Sequence, residues 1–225
     1  MINPLGLCLT IILYKLAEKL KKVKYFSKIP PLLLSGLALI LVLSFFNIDY
    51  HLYNESASLL TFLLVPATIS LGYPLYKNSM MLTKNKRIIY VAFCFSTFVA
   101  LVATYIIASL CKSDLNIIVS LLPKSVTAPI AVEISKTLGG IPELTACVVV
   151  LTGVFGAVLG HKILSLIGVK NDLAIGLSIG AASHVLGTSS CIEKKREKQV
   201  VMSTLALVIV GILTAILAPI LIKLV

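Results

Sequence analysis

The chain has few charged side chains, because aspartate, glutamate, lysine and arginine together make up 13% of its 225 residues. Soluble domains carry about 25%. Hydrophobic residues account for 58% of the chain, and its mean hydropathy is +1.04. This composition excludes a soluble globular protein and indicates a membrane protein. At about 20 apolar residues for each bilayer crossing, the length predicts seven or eight transmembrane segments and leaves no room for a separate soluble domain.

Motifs of catalysis and metal binding are also lacking. The sequence contains no HExxH motif and no phosphate-binding loop, and the short connections leave little space for an enzyme domain. Its five cysteines are scattered and form no CxxC pair, which indicates neither a disulfide framework nor a metal site. We therefore predict that the protein is not an enzyme and has no catalytic residue, no cofactor and no metal.

Positive charge is concentrated in three short segments, 15–28, 77–87 and 193–198, and the net charge is +11. Basic segments between apolar runs are typical of the cytoplasmic loops of membrane proteins. We therefore expect the lipid bilayer as a partner and no nucleic acid, and we place the three segments in the cytoplasm.

Apolar runs cover most of the chain. They lie at about 3–17, 29–46, 58–76, 88–111, 115–136, 143–164, 172–190 and 200–222. The runs are continuous rather than alternating, which predicts helices and not strands. Two runs separate the first two basic segments and four separate the last two, so all three segments can share one face. We predict an all-α, multi-pass protein in which residues 1–225 form one integral membrane domain, and we expect a homo-oligomer.

Three of these runs carry residues that disfavour a plain helix. The third contains Pro66 and Pro74, the fifth contains Pro123 and Pro129, and the seventh is rich in small and hydroxyl-bearing residues. Broken backbone at membrane depth is tolerated only inside protein or along a wet cavity, and it is a pointer to the binding site of a transporter. We therefore expect some segments to be broken or re-entrant.

A lysine lies near the middle of the fifth run. A charge at the bilayer centre costs about 2.5–3.5 kcal/mol, so Lys124 calls for a function. Ser125 and Thr127 add hydroxyl groups, and Pro129 suits the start of a helix whose N-terminal N–H groups would face an anion. We predict that Lys124, Ser125 and Thr127 bind the carboxylate of a small organic anion. In the alternative, Lys124 extends to the membrane interface.

Glu133 is a second charged residue in the fifth run. It could pair with Lys124 or carry a coupling proton, which makes it a candidate for ion coupling. It could also lie at a helix end beside Lys136, with no role in transport.

His184 lies in the seventh run, at a spacing of four from Gly176 and Gly180. On a continuous helix these residues share one face, which could pack against Gly156 and Gly160 of the sixth run. His184 would then face the transport pathway. In the alternative, its ring makes an interhelical hydrogen bond.

Three segments together resemble the LrgB/CidB family of bacterial membrane proteins: PKSVTAPIA from Pro123, LGGIPELTACVVVLTGVFGAVLG from Leu138 and IGAASHVLGT from Ile179. Their order and spacing match, and the resemblance extends from about Leu59 to the end of the chain. It implies a multi-pass protein of the bacterial plasma membrane.

The resemblance also implies a function. Members of the family are described as holin-like or antiholin-like regulators of murein hydrolase export and autolysis, plant relatives move glycolate and glycerate, and bacterial members are linked to pyruvate uptake. We therefore expect a transporter of small monocarboxylates that acts beside a small LrgA/CidA-type protein, with a regulator that does not transport as the alternative. His184 and Thr188 are carried over as substrate-binding residues. Residues 189–191 depart from the family pattern and are not.

Overall fold

The structure is a computed structural model that describes residues 4–21, 23, 29–70, 72–77 and 86–224. In this part of the chain every regular element is an α-helix, so the predicted all-α class is confirmed. The chain divides into two compact units, Met1–Ile69 and Ser70–Val225. The single domain expected for residues 1–225 stays a prediction.

The first unit is a small group of apolar helices. They are α1 (Leu5–Leu20), α2 (Pro31–Phe45), α3 (Tyr50–Ser56) and α4 (Ser58–Ser70, whose last residue belongs to the second unit). The amide of Gly6 in α1 donates to Ser56 Oγ at 3.1 Å. A side chain on Gly6 would collide with that hydroxyl, so the glycine allows α1 to approach α3 closely. Pro66 disfavours a plain helix, but it lies inside α4, and the helix continues past it.

The second unit contains the longer helices. They are α5 (Gly72–Lys77), α6 (Lys86–Leu110), α7 (Leu115–Leu121), α8 (Ala128–Thr137), α9 (Pro142–Leu166), α10 (Asp172–Glu193) and α11 (Glu197–Lys223). Four stretches of the described chain are long and apolar enough to cross a bilayer. They are Ile89–Leu110, Pro142–Leu166, Asp172–Glu193 and Glu197–Lys223. The predicted number of seven or eight spans is not confirmed, because the other apolar runs form shorter helices.

The fifth apolar run folds back on itself between α7 and α8. The hydroxyl of Thr145 lies 3.0 Å from the carbonyl oxygen of Ser120 in α7 and 2.7 Å from Ser135 Oγ in α8. On one straight helix, residues 120 and 135 would be about 22 Å apart. We call residues 115–137 hairpin A and residues 122–127, which join its two helices, its tip. The expected break in this run is confirmed.

The seventh run folds back as well, within the residues of α10. The backbone leaves helical geometry at Ser183 (φ −136°, ψ 16°) and at His184 (φ 42°, ψ −136°). A methyl group added to Gly187 would lie 2.9 Å from the carbonyl oxygen of Ile179, whereas residues eight apart on a straight helix are about 12 Å apart. We call residues 172–193 hairpin B and Ser183–His184 its tip.

Folding back changes the topology of the second unit. Each arm of hairpin B has about ten residues and reaches about 15 Å, half of the ~30 Å hydrocarbon core. We therefore infer that α10 is re-entrant despite its length and apolar composition, which leaves α6, α9 and α11 as the candidate crossing helices of this unit. A hairpin starts and ends on one face, and α9 connects the two hairpins, so they enter the bilayer from opposite faces. Arg87 and the basic segment 193–198 consequently lie on the same face, as their charge predicts.

Candidate functional site

The tip of hairpin B packs against the middle of α9. His184 Nε2 lies 3.0 Å from the carbonyl oxygen of Val149. A methyl group added to Gly153 would lie 2.6 Å from the imidazole of His184, and one added to Gly156 would collide with Ser183. Two glycines on α9 therefore make the space that the tip occupies.

The tip of hairpin A reaches the same part of α9. Val126 from this tip, Val149 from α9 and Ala181 from the end of the first arm of hairpin B belong to one buried apolar cluster. The contacted part of α9, residues 149–156, is at least seven residues or about 10 Å from either end of the helix. The tip of hairpin B therefore contacts α9 near its middle, and the tip of hairpin A contributes to the same buried cluster as this part of α9.

Lys124 lies in the tip of hairpin A and is half-buried. Its ammonium group has no hydrogen bond or ion pair with any residue that the structure describes. Glu133 instead pairs with Lys136 at 3.1 Å, and both side chains are more than half exposed. Of the alternatives left open for Glu133, the structure shows the position beside Lys136 and not the pairing with Lys124, because the carboxylate lies one turn from Lys136 on the exposed face of α8.

The first turn of α8 also presents unused hydrogen-bonding groups. Thr127 is the N-cap residue and is 6% exposed, but its side chain makes no capping bond. Thr127 Oγ1 is buried and has no partner in the described part of the chain. No partner is found there for the N–H groups of Ala128 and Ile130 either. Leaving a buried hydroxyl without a partner costs about 1–3 kcal/mol, which suggests that a ligand supplies the missing bond.

These groups together suit a small anion. Lys124 offers a positive charge, Ser125 and Thr127 offer hydroxyls, and the start of α8 adds N–H groups and the positive end of a helix dipole. Ser125 is half-buried, so it too faces away from bulk solvent. The three residues predicted for carboxylate binding are adjacent in one tip, at the break between two short helices.

The two site residues predicted on hairpin B are buried and take part in internal hydrogen bonds. His184 is 4% exposed and makes the predicted alternative, an interhelical bond to α9. Since a carbonyl oxygen accepts, Nε2 donates, which leaves Nδ1 as the second polar atom of the ring. Thr188 Oγ1 donates to the carbonyl oxygen of His184 at 3.0 Å. Thr188 therefore supports the strained tip, where His184 has a positive φ.

The expected glycine face of hairpin B is wrong. Gly176 and Gly180 lie against the backbone of Gln199 and Ser203 in α11, with no room for a side chain. His184 follows the kink and faces α9 instead, because the helix on which the spacing was counted ends at the tip. Residues 176–180 read GLSIG, the spacing of a hydrolase nucleophile elbow. Here they lie within a helix and not on a turn from strand to helix.

Sequence reasoning missed a buried polar network at the base of hairpin A. Ser120, Ser135 and Thr145 are fully buried, and the hydroxyl of Thr145 bonds to the carbonyl oxygen of Ser120 and to Ser135 Oγ. Ser120 Oγ accepts from the amide of Ile141 at 2.7 Å. A methyl group on Gly140 would collide with Ser135 Oγ. The adjacent glycines of the LGGIP segment were the available signal, since the network needs this close approach.

Comparison with known proteins agrees with this architecture. The model of the LrgB-like family matches residues 10–224. A protein of Haemophilus influenzae described as uncharacterized is 38% identical over 84% of this chain and 80% of its own length. The holin-like protein CidB of Staphylococcus aureus strain Mu50 is 30% identical over 98% and 96%, and the uncharacterized protein YwbG of Bacillus subtilis is 32% identical over 99% and 98%. No solved structure matches the chain.

The apolar crossing helices and these bacterial relatives define a multi-pass bacterial membrane protein. The chain belongs to the LrgB-like family, some of whose members carry the name holin-like.

Proposed function

We propose that this protein transports small monocarboxylates, such as pyruvate, glycolate or glycerate, across the bacterial plasma membrane. The observation that carries the proposal lies at the break between α7 and α8, where the buried Thr127 Oγ1 and the nearby ammonium group of Lys124 have no partner among the residues that the structure describes. A carboxylate would accept hydrogen bonds from both groups.

Each residue has a separate role. Lys124 attracts the carboxylate, and Thr127 with Ser125 orients it against the first turn of α8. The helix dipole contributes about 0.3–1 kcal/mol, and up to about 2 kcal/mol when partly buried. A hydrogen bond to a charged group contributes about 1.5–3 kcal/mol. One cation at this tip suits one carboxylate, which favours monocarboxylates over dicarboxylates.

The opposed hairpins provide a route for alternating access. The tip of hairpin A is reached from one face of the membrane and the tip of hairpin B from the other, and both adjoin the same buried cluster at the middle of α9. A substrate held at the tip of hairpin A would be exposed to one face at a time if either hairpin moves. A role of His184 and Thr188 in binding the substrate stays a prediction. Binding energy that differs between the two states drives the exchange between them.

The relatives named holin-like favour a second candidate, a regulator of membrane permeability or of hydrolase release that has no transport of its own. A regulator requires helix packing but not an unpaired lysine and hydroxyl at mid-depth. A homo-oligomer and a small LrgA/CidA-type partner are compatible with both candidates and stay predictions.

Uptake into liposomes separates the two candidates. Purified protein should accumulate labelled pyruvate or glycolate above the level of empty liposomes. Lys124→Gln should lower uptake at least tenfold, whereas Lys136→Gln, which removes an exposed lysine from the same hairpin, should leave it within twofold. If the wild type keeps its thermal unfolding midpoint after purification but takes up no substrate, the regulator is favoured.

A further inference from the structure

The second unit contains six carboxylates, and five of them are exposed. The exception is Asp172, which is half-buried at the start of hairpin B. Its Oδ1 accepts a hydrogen bond of 2.7 Å from the amide nitrogen of Gln199, a residue that is 4% exposed. The most protected carboxylate of this unit is therefore Asp172 and not Glu133, the coupling candidate predicted from the sequence.

Gln199 extends this contact to a histidine. Its Oε1 lies 3.0 Å from His161 Nε2. Because the amide nitrogen of Gln199 donates to Asp172, its oxygen must accept from His161, so Nε2 carries a hydrogen. The remaining ring nitrogen, Nδ1, is buried and has no partner in the described part of the chain. The relay Asp172–Gln199–His161 thus ends in an unused proton acceptor.

The relay joins three elements at the base of hairpin B. His161 comes from α9, Gln199 from α11 and Asp172 from the first arm of the hairpin. Lys194, which follows the second arm, lines the same 330 Å³ pocket as His161. Both ends of the hairpin are therefore held at one place, and the relay ties the hairpin to two of the crossing helices.

Charged groups reach His161 from two of these elements. Lys162, on the same helix as His161, and Lys194, which follows hairpin B, line the pocket. Both are positively charged and disfavour a positive charge on the His161 ring. Asp172 supplies the compensating negative charge through Gln199, while the residue that faces the ring from α11 is the uncharged Gln199 itself. The relay can therefore hold one additional proton, as an imidazolium balanced by the Asp172 carboxylate.

We propose that the Asp172–Gln199–His161 relay is the proton-binding site that couples carboxylate uptake to the pH gradient. This proposal rests on the proposed transport function. One anion moving into a negative cell works against about 2.3 kcal/mol per 100 mV, and a proton carried with it removes that cost. The proton binds His161 Nδ1 with no other bond made or broken. Since Nδ1 is buried here, proton exchange with bulk water requires a change of conformation around His161.

Transport measurements at fixed membrane potential test the coupling. The wild type should accumulate labelled pyruvate when a pH gradient, acidic outside, is imposed, and His161→Gln should lose at least nine-tenths of that dependence. Exchange of labelled for unlabelled pyruvate without a gradient should persist in His161→Gln, which separates loss of coupling from loss of the binding site. Glu133→Gln is the control and should behave as the wild type. Gradient-driven accumulation by His161→Gln equal to that of the wild type would overturn the proposal.

A second measurement needs no transport. In detergent-solubilised protein labelled with ¹⁵N-histidine, the signal of His161 should be assigned by its absence in His161→Gln, and its Nδ1 should gain a proton as the pH is lowered. Asp172→Asn should move that change to lower pH, because it removes the balancing carboxylate. A His161 ring that keeps one protonation state throughout, or that does not respond to Asp172→Asn, would contradict proton binding even if wild-type protein moved no substrate.

Discussion

Two buried threonines offer a matched test of the anion site. Thr127 in the tip of hairpin A is 6% exposed, and its hydroxyl has no partner among the described residues. Thr145 in α9 is fully buried, and its hydroxyl is bonded to Ser120 and Ser135. Valine has the shape of threonine without the hydroxyl. The same substitution should therefore have opposite effects on stability at the two positions.

The magnitudes follow from the hydrogen bonds. Thr127→Val removes a buried, unpaired hydroxyl and should raise the free energy of unfolding of the empty protein by about 1–3 kcal/mol. It should also remove a bond of about 1.5–3 kcal/mol to the substrate carboxylate, which weakens binding by about 10- to 150-fold. Thr145→Val leaves buried partners unsatisfied and should lower the free energy of unfolding by about 1–3 kcal/mol.

Thermal unfolding in detergent, with and without pyruvate, measures both effects. For a unit of this size, 1 kcal/mol corresponds to about 2–4 °C in the unfolding midpoint. Thr127→Val should raise the unfolding midpoint of the empty protein. It should also need a higher pyruvate concentration than the wild type for pyruvate to raise the midpoint by the same amount. A variant that is less stable than wild type, or that binds pyruvate equally well, would refute the assignment of this hydroxyl to the substrate.

Two further predictions concern the tip of hairpin B and the membrane topology. Gly153→Ala should destabilise the protein by about 1–3 kcal/mol, because the new methyl group meets the ring of His184. Gly160→Ala, whose methyl group would have its nearest contact at 3.6 Å, should be neutral or stabilising. Thermal unfolding midpoints of the two variants and the wild type measure the difference. In a background without the native cysteines, Lys170→Cys and Lys195→Cys should react with an impermeant thiol reagent from the same face of the membrane, and reaction from opposite faces would show that α10 crosses the bilayer.

The break in hairpin A was predictable because its cause is local. Pro123 and Pro129 disfavour a continuous helix across the tip, and the polar residues between them are out of place in a spanning segment. Lys124, Ser125 and Thr127 could be chosen on this basis. That some runs are broken or re-entrant was expected, but the contact of Thr145 with both arms of hairpin A could not be predicted from the sequence, because it joins residues distant in the chain.

The kink at the tip of hairpin B has no local cause as strong as the two prolines of hairpin A. Nothing in Ser183 or His184 favours a kink, and a histidine at positive φ is uncommon. The conformation is stabilised from outside the segment, by the carbonyl of Val149 and by the space above Gly153 and Gly156. The sequence spacing could be interpreted only on a straight helix, which is why it placed His184 on the wrong face.

The coupling role expected for Glu133 stays a prediction, and the structure shows why Glu133 was noticed before Asp172. Glu133 stood out because it lies in an apolar run, but α8 turns it toward the surface beside Lys136. Asp172 and His161 are eleven residues apart in sequence at the ends of two runs, where charged residues are ordinary. Gln199, which joins them, is remote in the chain and is brought there by the packing of α11 on hairpin B.

The most direct test is a structure of the protein with pyruvate bound. The carboxylate should lie within hydrogen-bond distance, about 2.7–3.2 Å, of Thr127 Oγ1 and the amide of Ala128, with the ammonium of Lys124 beside it. Pyruvate bound away from the tip of hairpin A, or an empty tip at a saturating concentration, would contradict this account of the site.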